Sequence, residues 1–313
     1  MKIHKFTLFN VAFCLALAAM ELPARSLNGF VVGPDALIPV EEIHSGGPPR
    51  DGIPSIDRPR FQAPGKVSEI KPGDGVLGLF HKGVAKAYPI AIMNWHEIVN
   101  DRFADEPVVI TYCPLCGSGV AYAAQVAGLE LMLGVSGLLF NSDVLLFDRQ
   151  TESLWSQMMS QAISGPMRGE RLQMLPLVHT SWSEWLAEHP QTLVLSRNTG
   201  FSRDYNRDPY AGYVDSKGVW FPVAKKDPRY HPKERVLGVE LEGRFKAYPF
   251  AELSASSSEI RDRFANRDLT LRYNPKGPSA RVYDAGGKEI PAITSFWFAW
   301  YAFHPETEVY QAP

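Results

Sequence analysis

Two stretches that repeat one pattern decide the fold. Residues 76–90 read VLGLFHKGVAKAYPI, and residues 236–250 read VLGVELEGRFKAYPF. In the first stretch, two short apolar runs flank Lys82-Gly83, which predicts a β-hairpin. Pro89 then suits the first turn of a helix, which the apolar spacing extends to Asn100. This stretch therefore predicts a hairpin followed by a helix.

The similarity between the two stretches continues along the chain. DRFADEPVVITYCP at 101–114 aligns with DRFANRDLTLRYNP at 262–275, and WSEWLAEHPQT at 182–192 aligns with WFAWYAFHPET at 297–307. The recurrence of several motifs in one order predicts two degenerate repeats. The repeats also act as an internal control. Motifs present in both halves indicate scaffold, and motifs present in one half are candidates for function.

The sequence predicts an α+β fold of short, mainly antiparallel strands with a few helices, because short apolar runs outnumber helical patterns. About 290 residues after export are enough for one large domain or two ordinary ones. In chain order the predicted segments are a signal peptide at 1–24 with cleavage between 18 and 24, a Gly/Pro-rich leader at 25–64, a first repeat with the Cys-x-x-Cys motif at 65–195, a connector at 196–235 and a degenerate second repeat at 236–313.

The N-terminus predicts export. Lys2 and Lys5 precede a largely apolar stretch from Phe6 to Ala19, as in a secretory signal peptide. We expect a periplasmic or secreted protein from which Cys14 has been removed, in a compartment that permits disulfides. No later segment is apolar enough to predict a membrane span. Lys and Arg number 32 against 34 Asp and Glu, a formal charge of −2, so no basic stripe predicts nucleic-acid binding.

Cys113 and Cys116 are the remaining cysteines, and they occur in one half only. The corresponding residues of the second half are Asn274 and Gly277. The His-Pro pairs at 189–190 and 304–305 occur in both halves, by contrast, and indicate helix ends. The cysteine pair is therefore the leading candidate for function. It has three interpretations: a small structural disulfide, a metal site or a redox pair.

The metal interpretation starts from CPLCG at 113–117, which has the form of one zinc knuckle. Because no second knuckle exists, His96 is the best candidate for a further ligand, and thiolates with imidazole suit copper or zinc. In the redox interpretation one cysteine attacks and the other resolves, while His96 acts as base and Glu97 orients it. A structural disulfide across so short a loop contributes only about 2 kcal/mol. The sequence leaves these alternatives open.

Further polar residues of the first half are candidates for supporting the site. They lie next to His96 or between the apolar runs of residues 134–157, which have no counterpart in the second half. The alternative interpretation of the second group is a hairpin that turns at 141–143 and a second turn after it. The candidates are Asn94, Trp95, Ser136, Asn141, Asp148, Arg149, Thr151, Ser153 and Trp155.

Several motifs together resemble a bacterial family, the domain of unknown function 3179. The matching stretches include GGPPRDGIPSIDRPRF, NWHEIVND, VVITYCPLCGSG, DRQTESLWSQ and RDYNRDPYAGY. The resemblance implies an exported or envelope protein and implies no established substrate. We therefore expect an exported protein with a thiol centre for redox or metal chemistry, whose partner is a small molecule or an envelope protein. The alternative is a non-catalytic binding module with a structural disulfide.

Overall fold

The computed structural model describes residues 24–313. Cys14 and residues 1–23 of the predicted signal peptide lie outside the described residues. The described chain consists mainly of short strands and contains four short α-helices. None of the helices between residues 24 and 313 is long and apolar enough to cross a membrane.

The helices are α1 (Ile90–His96), α2 (Trp182–Glu188), α3 (Phe250–Ser254) and α4 (Trp297–Phe303), with 3-10 turns at Val40–Glu42 and Pro64–Lys66. The strands up to the connector are β1 (Arg25–Leu27), β2 (Phe30–Val32), β3 (Ile43–Ser45), β4 (Phe61–Gln62), β5 (Gly75–His81), β6 (Val84–Pro89), β7 (Ile98–Phe103), β8 (Glu106–Cys113), β9 (Ser118–Ala123), β10 (Gln125–Val126), β11 (Leu129–Glu130), β12 (Leu133–Phe140), β13 (Asp143–Asp148), β14 (Leu154–Ser156), β15 (Gln161–Ser164), β16 (Gln173–Leu175), β17 (Leu177–Ser181) and β18 (Leu193–Leu195). The strands after the connector are β19 (Arg235–Leu241), β20 (Arg244–Pro249), β21 (Glu259–Phe264), β22 (Arg267–Asn274), β23 (Ser279–Asp284), β24 (Glu289–Ile290), β25 (Ile293–Phe296) and β26 (Glu308–Val309).

Antiparallel pairing dominates, and this part of the prediction is confirmed. Among the named strand pairs of the described residues, only β6 with β18 and β20 with β26 run parallel. The hairpin predicted around Lys82-Gly83 is formed by β5 and β6, and α1 follows Pro89. The predicted helix is too long, however. Glu97 has a left-handed φ of 58° that ends α1, and β7 then pairs with β8, so sheet hydrogen bonding overrides the helical spacing up to Asn100.

Each half places its hairpin in the middle of a sheet. In the first half the strand order is β17-β5-β6-β18-β4, and in the second half the order β25-β19-β20-β26 surrounds the equivalent hairpin. The second sheet continues from β25 onto β9, β8 and β7, with β16 also paired to β9. The strand that carries Cys113 therefore belongs to a sheet to which both halves contribute.

A tryptophan packs face-on against a glycine of the hairpin in both halves. A Cβ atom added to Gly78 would lie 2.3 Å from the Trp185 ring, and one added to Gly238 would lie 2.1 Å from the Trp300 ring. Each indole also donates a hydrogen bond to the threonine seven residues further on, at 2.9 and 3.0 Å. Glycine is needed at both positions because any side chain would displace the tryptophan.

The two recurrent histidines have equivalent surroundings. His189 follows α2 and stacks on Phe80 with ring centroids 5.3 Å apart, and His304 follows α4 and stacks on Phe245 at 3.9 Å. Burial lowers the pKa of both, and that of His304 falls to about 3. Both rings therefore pack as neutral groups at helix ends.

The stretch without a counterpart in the second half forms a separate five-stranded sheet. Its order is β15-β14-β13-β12-β3, so a strand of the leader completes its edge. Strands β12 and β13 form a hairpin whose turn is Asn141-Ser142. The turn lies beside the cysteine strand, because the carbonyl of Ser142 accepts from both thiols.

Candidate functional site

The two cysteines lie on the turn of a β-hairpin. Strand β8 ends at Cys113, β9 begins at Ser118, and the amide of Cys116 donates to the carbonyl of Cys113 at 3.2 Å. Gly117 closes the turn with a left-handed φ of 58°, a conformation that glycine adopts without strain. The chain continues as strand, so the cysteines do not lie at the start of a helix.

A second hairpin turn meets the first one. Asn141 and Ser142 have φ values of 51° and 66°, as a two-residue type I′ turn requires, and they join β12 to β13. The turn directs the carbonyl oxygen of Ser142 at both thiols. It accepts from the Sγ of Cys116 at 3.3 Å and from that of Cys113 at 3.9 Å.

The next residue completes a cluster of three metal-ligating side chains. The Sγ atoms of Cys113 and Cys116 and a carboxylate oxygen of Asp143 all lie within 4.8 Å of one another. The cysteines are not joined by a disulfide. All three side chains are buried, with at most 2% of each residue exposed. Among residues 24–313 this is the one group of three His, Cys, Asp or Glu side chains with such spacing.

Buried acidic groups crowd this cluster. Burial raises the pKa of both thiols above its ordinary value. Burial also raises the pKa of Asp143, from 3.8 to about 7. Burial and the nearby Asp143 raise the pKa of Glu97 to about 8. The two thiols and Glu97 therefore favour their protonated forms at neutral pH, and Asp143 is close to its midpoint. A bound cation would instead stabilise the thiolates and the carboxylates.

A buried polar network holds the carboxylate in place. Asp143 accepts from the backbone amide of Met158 at 3.2 Å and from Ser118 Oγ at 3.5 Å. Gln157 bridges Ser118 to Thr111, with distances of 2.6 and 2.8 Å. Hydrogen bonds of this kind orient a ligating carboxylate before any metal arrives.

His96 is engaged elsewhere, and this corrects the expectation that it supplies the further ligand. Its Nδ1 lies 2.8 Å from the carbonyl of Pro54 and therefore carries the proton, while Nε2 accepts from Tyr205 at 2.7 Å. Both nitrogens are satisfied by the leader and the connector. The carboxyl group beside the thiols belongs to Asp143, on the inserted hairpin.

Glu97 does not orient His96 either. The two hydrogen-bond partners of the imidazole are Pro54 and Tyr205. Because Glu97 ends α1 in a left-handed conformation, its side chain leaves the direction of the helix and lies with Asp143 and Tyr210. Glu97 is therefore a neighbour of the cysteine cluster through its own carboxyl group.

The other candidates on α1 contact the connector. Asn94 donates to Asp208 at 3.0 Å, and the Trp95 indole donates to the carbonyl of Arg207 at 3.2 Å. The Arg207 guanidinium also lies 5.4 Å from the centre of the Trp95 ring. These residues attach the connector to the first half, next to the cluster.

The candidates on the inserted sheet hold its turns together. Asp148 accepts from the backbone and hydroxyl of Thr151, at 2.5 and 2.8 Å, and from the Trp155 indole at 2.9 Å. Thr151 also contacts the hydroxyl of Ser153 at 2.8 Å. Arg149 pairs with Asp51 of the leader. None of these contacts involves the thiols.

Two further candidates have structural partners. Ser136 donates to the carbonyl of Leu145 across the hairpin. Asn141 accepts from the amide of Ala224 at 2.8 Å and donates to the carbonyl of Ala302 at 3.4 Å. Asn141 therefore links the inserted turn to the connector and to the second half.

Sequence reasoning missed several residues around the thiols. Asp143 and Ser142 lie in the turn that the sequence predicts, but the pattern does not show which strand that turn faces. Tyr210 and Tyr213 belong to RDYNRDPYAGY, the connector motif of the family resemblance, and Lys233 follows later in the connector. The sequence signal that could have identified Ser142 and Asp143 is the polar Asn-Ser-Asp turn, which lies in a stretch that only the first half contains.

The fold and the site define a mainly antiparallel β protein with a buried dithiol–carboxylate cluster between two hairpin turns. The chain belongs to the family described as protein of unknown function (DUF3179), which matches residues 50–307. No curated protein and no solved structure matches the chain. The family membership expected from the motifs is confirmed, and it assigns no activity.

Proposed function

We propose that this protein binds one thiophilic divalent metal ion, zinc in the first place, through Cys113, Cys116 and Asp143. The observation that carries the proposal is the mutual approach of two thiols and a carboxylate within 4.8 Å in a buried cluster. Two thiolates from a hairpin knuckle and a third protein ligand from another segment are a typical zinc arrangement.

The same geometry weighs against a redox pair. A reactive cysteine has a lowered pKa and an accessible thiol, whereas burial raises the pKa of Cys113 and Cys116 and leaves them at most 2% exposed. The hairpin turn also provides no helix N-terminus to stabilise a thiolate. A metal ion supplies the positive charge that these thiols otherwise lack.

The donor set favours zinc over copper. Copper(I) prefers sulfur ligands alone, while a carboxylate with two thiolates suits a borderline ion such as zinc. A divalent ion with two thiolates and Asp143 has a net charge of −1. Burial lowers the pKa of Lys233 and the nearby Cys116 opposes that shift, so the ammonium group would offset part of that negative charge.

The metal content of the mature protein, purified without chelator, tests the proposal. We expect one equivalent of zinc, which is lost in Cys113→Ser, Cys116→Ser and Asp143→Asn. The matched control is Asp148→Asn, because Asp148 lies at the other end of β13 and bonds Thr151 and Trp155 instead of the thiols.

Circular dichroism separates loss of metal from loss of fold in each variant. Folded protein that takes up no zinc, cobalt or copper would overturn the proposal. A metal-free disulfide that glutathione buffers readily open would then favour the redox interpretation, whereas a resistant disulfide would favour the binding module.

The second half serves as a support in this proposal, and the two halves are copies of one unit. The common strand order, the glycine–tryptophan contacts and the stacked histidines support the duplication. Only the first half carries the cysteines and the inserted hairpin. Variants that remove metal should accordingly lie in the first half or in the connector.

The proposal includes export of the protein to an oxidising compartment. A free thiol pair in an oxidising compartment is expected to form a disulfide, and a tightly held metal ion would protect it. Cell fractionation with N-terminal sequencing tests this step. We expect an envelope or secreted protein cleaved between residues 18 and 24. Recovery of uncleaved chain in the cytoplasm would contradict it.

A further inference from the structure

Two buried hydroxyl groups at the cysteine cluster have no hydrogen-bond partner of ordinary geometry in the described part of the chain. Ser142 is 0% exposed and Tyr213 is 1% exposed. Neither the Ser142 Oγ nor the Tyr213 hydroxyl makes a hydrogen bond of ordinary geometry within residues 24–313. Burial raises the pKa of Tyr213 while Ser142 and the backbone of Trp220 oppose that shift, so the two hydroxyls nevertheless lie near each other. An unpaired buried polar group costs about 1–3 kcal/mol, so two of them in one place call for a common partner.

Both hydroxyls lie at the proposed metal ligands. Ser142 is adjacent to Asp143 in sequence, and its own carbonyl accepts from both thiols. Tyr213 comes from the connector and packs in the same core cluster as Cys113 and Cys116. The three ligands thus come from two hairpins, and the unpaired hydroxyls come from one of these hairpins and from the connector.

The tyrosine is held firmly in this position. The Lys233 ammonium lies 3.9 Å from the centre of the Tyr213 ring and donates to the carbonyls of Ser216 and Gly218, at 3.1 and 2.6 Å. The Trp220 ring packs on it from another direction, with ring centroids 4.6 Å apart. A rearrangement that gives the phenol another partner would have to break these contacts.

Protein side chains supply three ligands, and a metal site with three protein ligands typically keeps a fourth position for an exchangeable molecule. We propose that a small oxygen ligand, water or a small oxyanion, binds at this position and is held by the hydroxyls of Tyr213 and Ser142. This inference rests on the proposed metal centre and specifies it as an open site.

A surface cleft lies on the other side of residues that pack against the cysteine core. This cleft of about 480 Å³ lies at the junction of α1, the leader and the connector. Ile53 and Tyr210 line this cleft and also pack against the core that contains the cysteines. Arg203 and Arg207 line the cleft together with Asp204, and the net positive charge of the three would attract a small anion.

Cobalt(II) substitution with azide as the added ligand tests the inference. Cobalt bound to two thiolates absorbs in the visible region, and its spectrum reports the coordination number. We expect azide to change the spectrum saturably. Tyr213→Phe and Ser142→Gly should each weaken azide binding about 5-fold, the equivalent of one hydrogen bond of about 1 kcal/mol, without loss of cobalt.

The variants are chosen so that each keeps the backbone conformation and the fold of the unmodified protein. Glycine readily adopts the φ of 66° found at Ser142, so Ser142→Gly removes the hydroxyl without strain. The matched control is Tyr205→Phe, because Tyr205 belongs to the same connector and its hydroxyl bonds His96 and Thr199. Azide binding in this control should equal that of the unmodified protein.

Each outcome identifies which proposal fails. Folded protein that takes up no cobalt, zinc or copper would overturn the metal centre itself. One equivalent of cobalt in a closed four-coordinate site that ignores azide would leave the metal centre standing and overturn the open position. Azide affinity that is equal in the unmodified protein, Tyr213→Phe and Ser142→Gly would overturn the role of the two hydroxyls.

Discussion

The backbone amide of Phe296 donates a 2.7 Å hydrogen bond to the carbonyl oxygen of Cys116. This contact joins the second half of the chain to the cysteine turn, immediately beside the bridge between Thr294 and Gly119. The ring of Phe296 also covers Gly117. The second half therefore helps to fix the geometry of a cluster to which it contributes no ligand.

A methyl group at Gly117 should disturb the cluster. The Cβ atom of Gly117→Ala would lie 2.8 Å from the Phe296 ring, in a residue whose φ is 58°. We expect a loss of about 1 kcal/mol in unfolding free energy from the left-handed backbone and about 1–3 kcal/mol more from the clash. Chemical denaturation and a zinc titration measure stability and affinity.

The control for this change is Gly83→Ala. Gly83 also has a left-handed φ, of 77°, but a Cβ atom there meets nothing within 4 Å. Gly83→Ala should lower the unfolding free energy only by the cost of the left-handed backbone, and it should retain the zinc affinity of the unmodified protein. Equal effects of the two substitutions on zinc binding would contradict a supporting role for Phe296.

Substitution of either glycine that packs against a tryptophan should destabilise the protein by a similar amount. Gly78→Ala and Gly238→Ala each force the added methyl into an indole ring. We expect both to lower the unfolding free energy by about 1–3 kcal/mol, because neither Trp185 nor Trp300 has room to move. Thermal or urea unfolding measures the effect. A large loss at one position and none at the other would argue against equivalent halves.

Replacement of His96 should affect stability and leave the metal content unchanged. His96→Gln loses the fit to Pro54 and Tyr205, and we expect a destabilisation of about 1–3 kcal/mol. Elemental analysis of the folded variant should still find one equivalent of zinc. Complete loss of zinc from a folded variant would restore the histidine as a ligand.

Stability of the metal-free protein should fall as the pH rises through the window set by Glu97. Its pKa is raised from 4.5 to about 8, so the folded state holds a proton that the unfolded state has released. The contribution of Glu97 to the unfolding free energy is complete below pH 4.5. It is lost as the pH rises to about 8, by up to about 1.4 kcal/mol per pH unit.

Glu97→Gln should remove that part of the slope, since glutamine carries no titrating proton. Urea unfolding of the metal-free protein and the metal-free variant at several pH values measures the difference. Asp143 acts in the same direction, because its pKa is raised from 3.8 to about 7. An unchanged slope in Glu97→Gln would mean that this carboxyl group is ionised in the folded state.

His304 should have the opposite effect in acid. Burial lowers its pKa from 6.5 to about 3, so between these values the unfolded state binds a proton that the folded state excludes. Its contribution to stability is complete above pH 6.5 and decreases as the pH falls, by up to about 1.4 kcal/mol per pH unit. His304→Phe, which retains the stacking on Phe245, should flatten the acid limb of the stability profile.

The sequence by itself determined the local elements. Lys82-Gly83 between apolar runs predicts the β5–β6 hairpin, and Pro89 predicts the start of α1, because turn chemistry and backbone hydrogen bonding act between near neighbours. In the structure Ser181 caps α2 by accepting from the amide of Glu184, an interaction between near neighbours in sequence. The confinement of Cys113 and Cys116 to one half also identified the candidate site from the printed chain alone.

Only the tertiary structure decided which distant residues meet at those cysteines. Asp143 lies 27 positions beyond Cys116 and Tyr213 lies 97 beyond it, and no local pattern encodes their approach. His96, nearer in sequence to Cys113, bonds the leader and the connector instead, through Pro54 and Tyr205. Local periodicity specifies which face of an element is apolar, whereas the packing of whole sheets specifies what that face contacts.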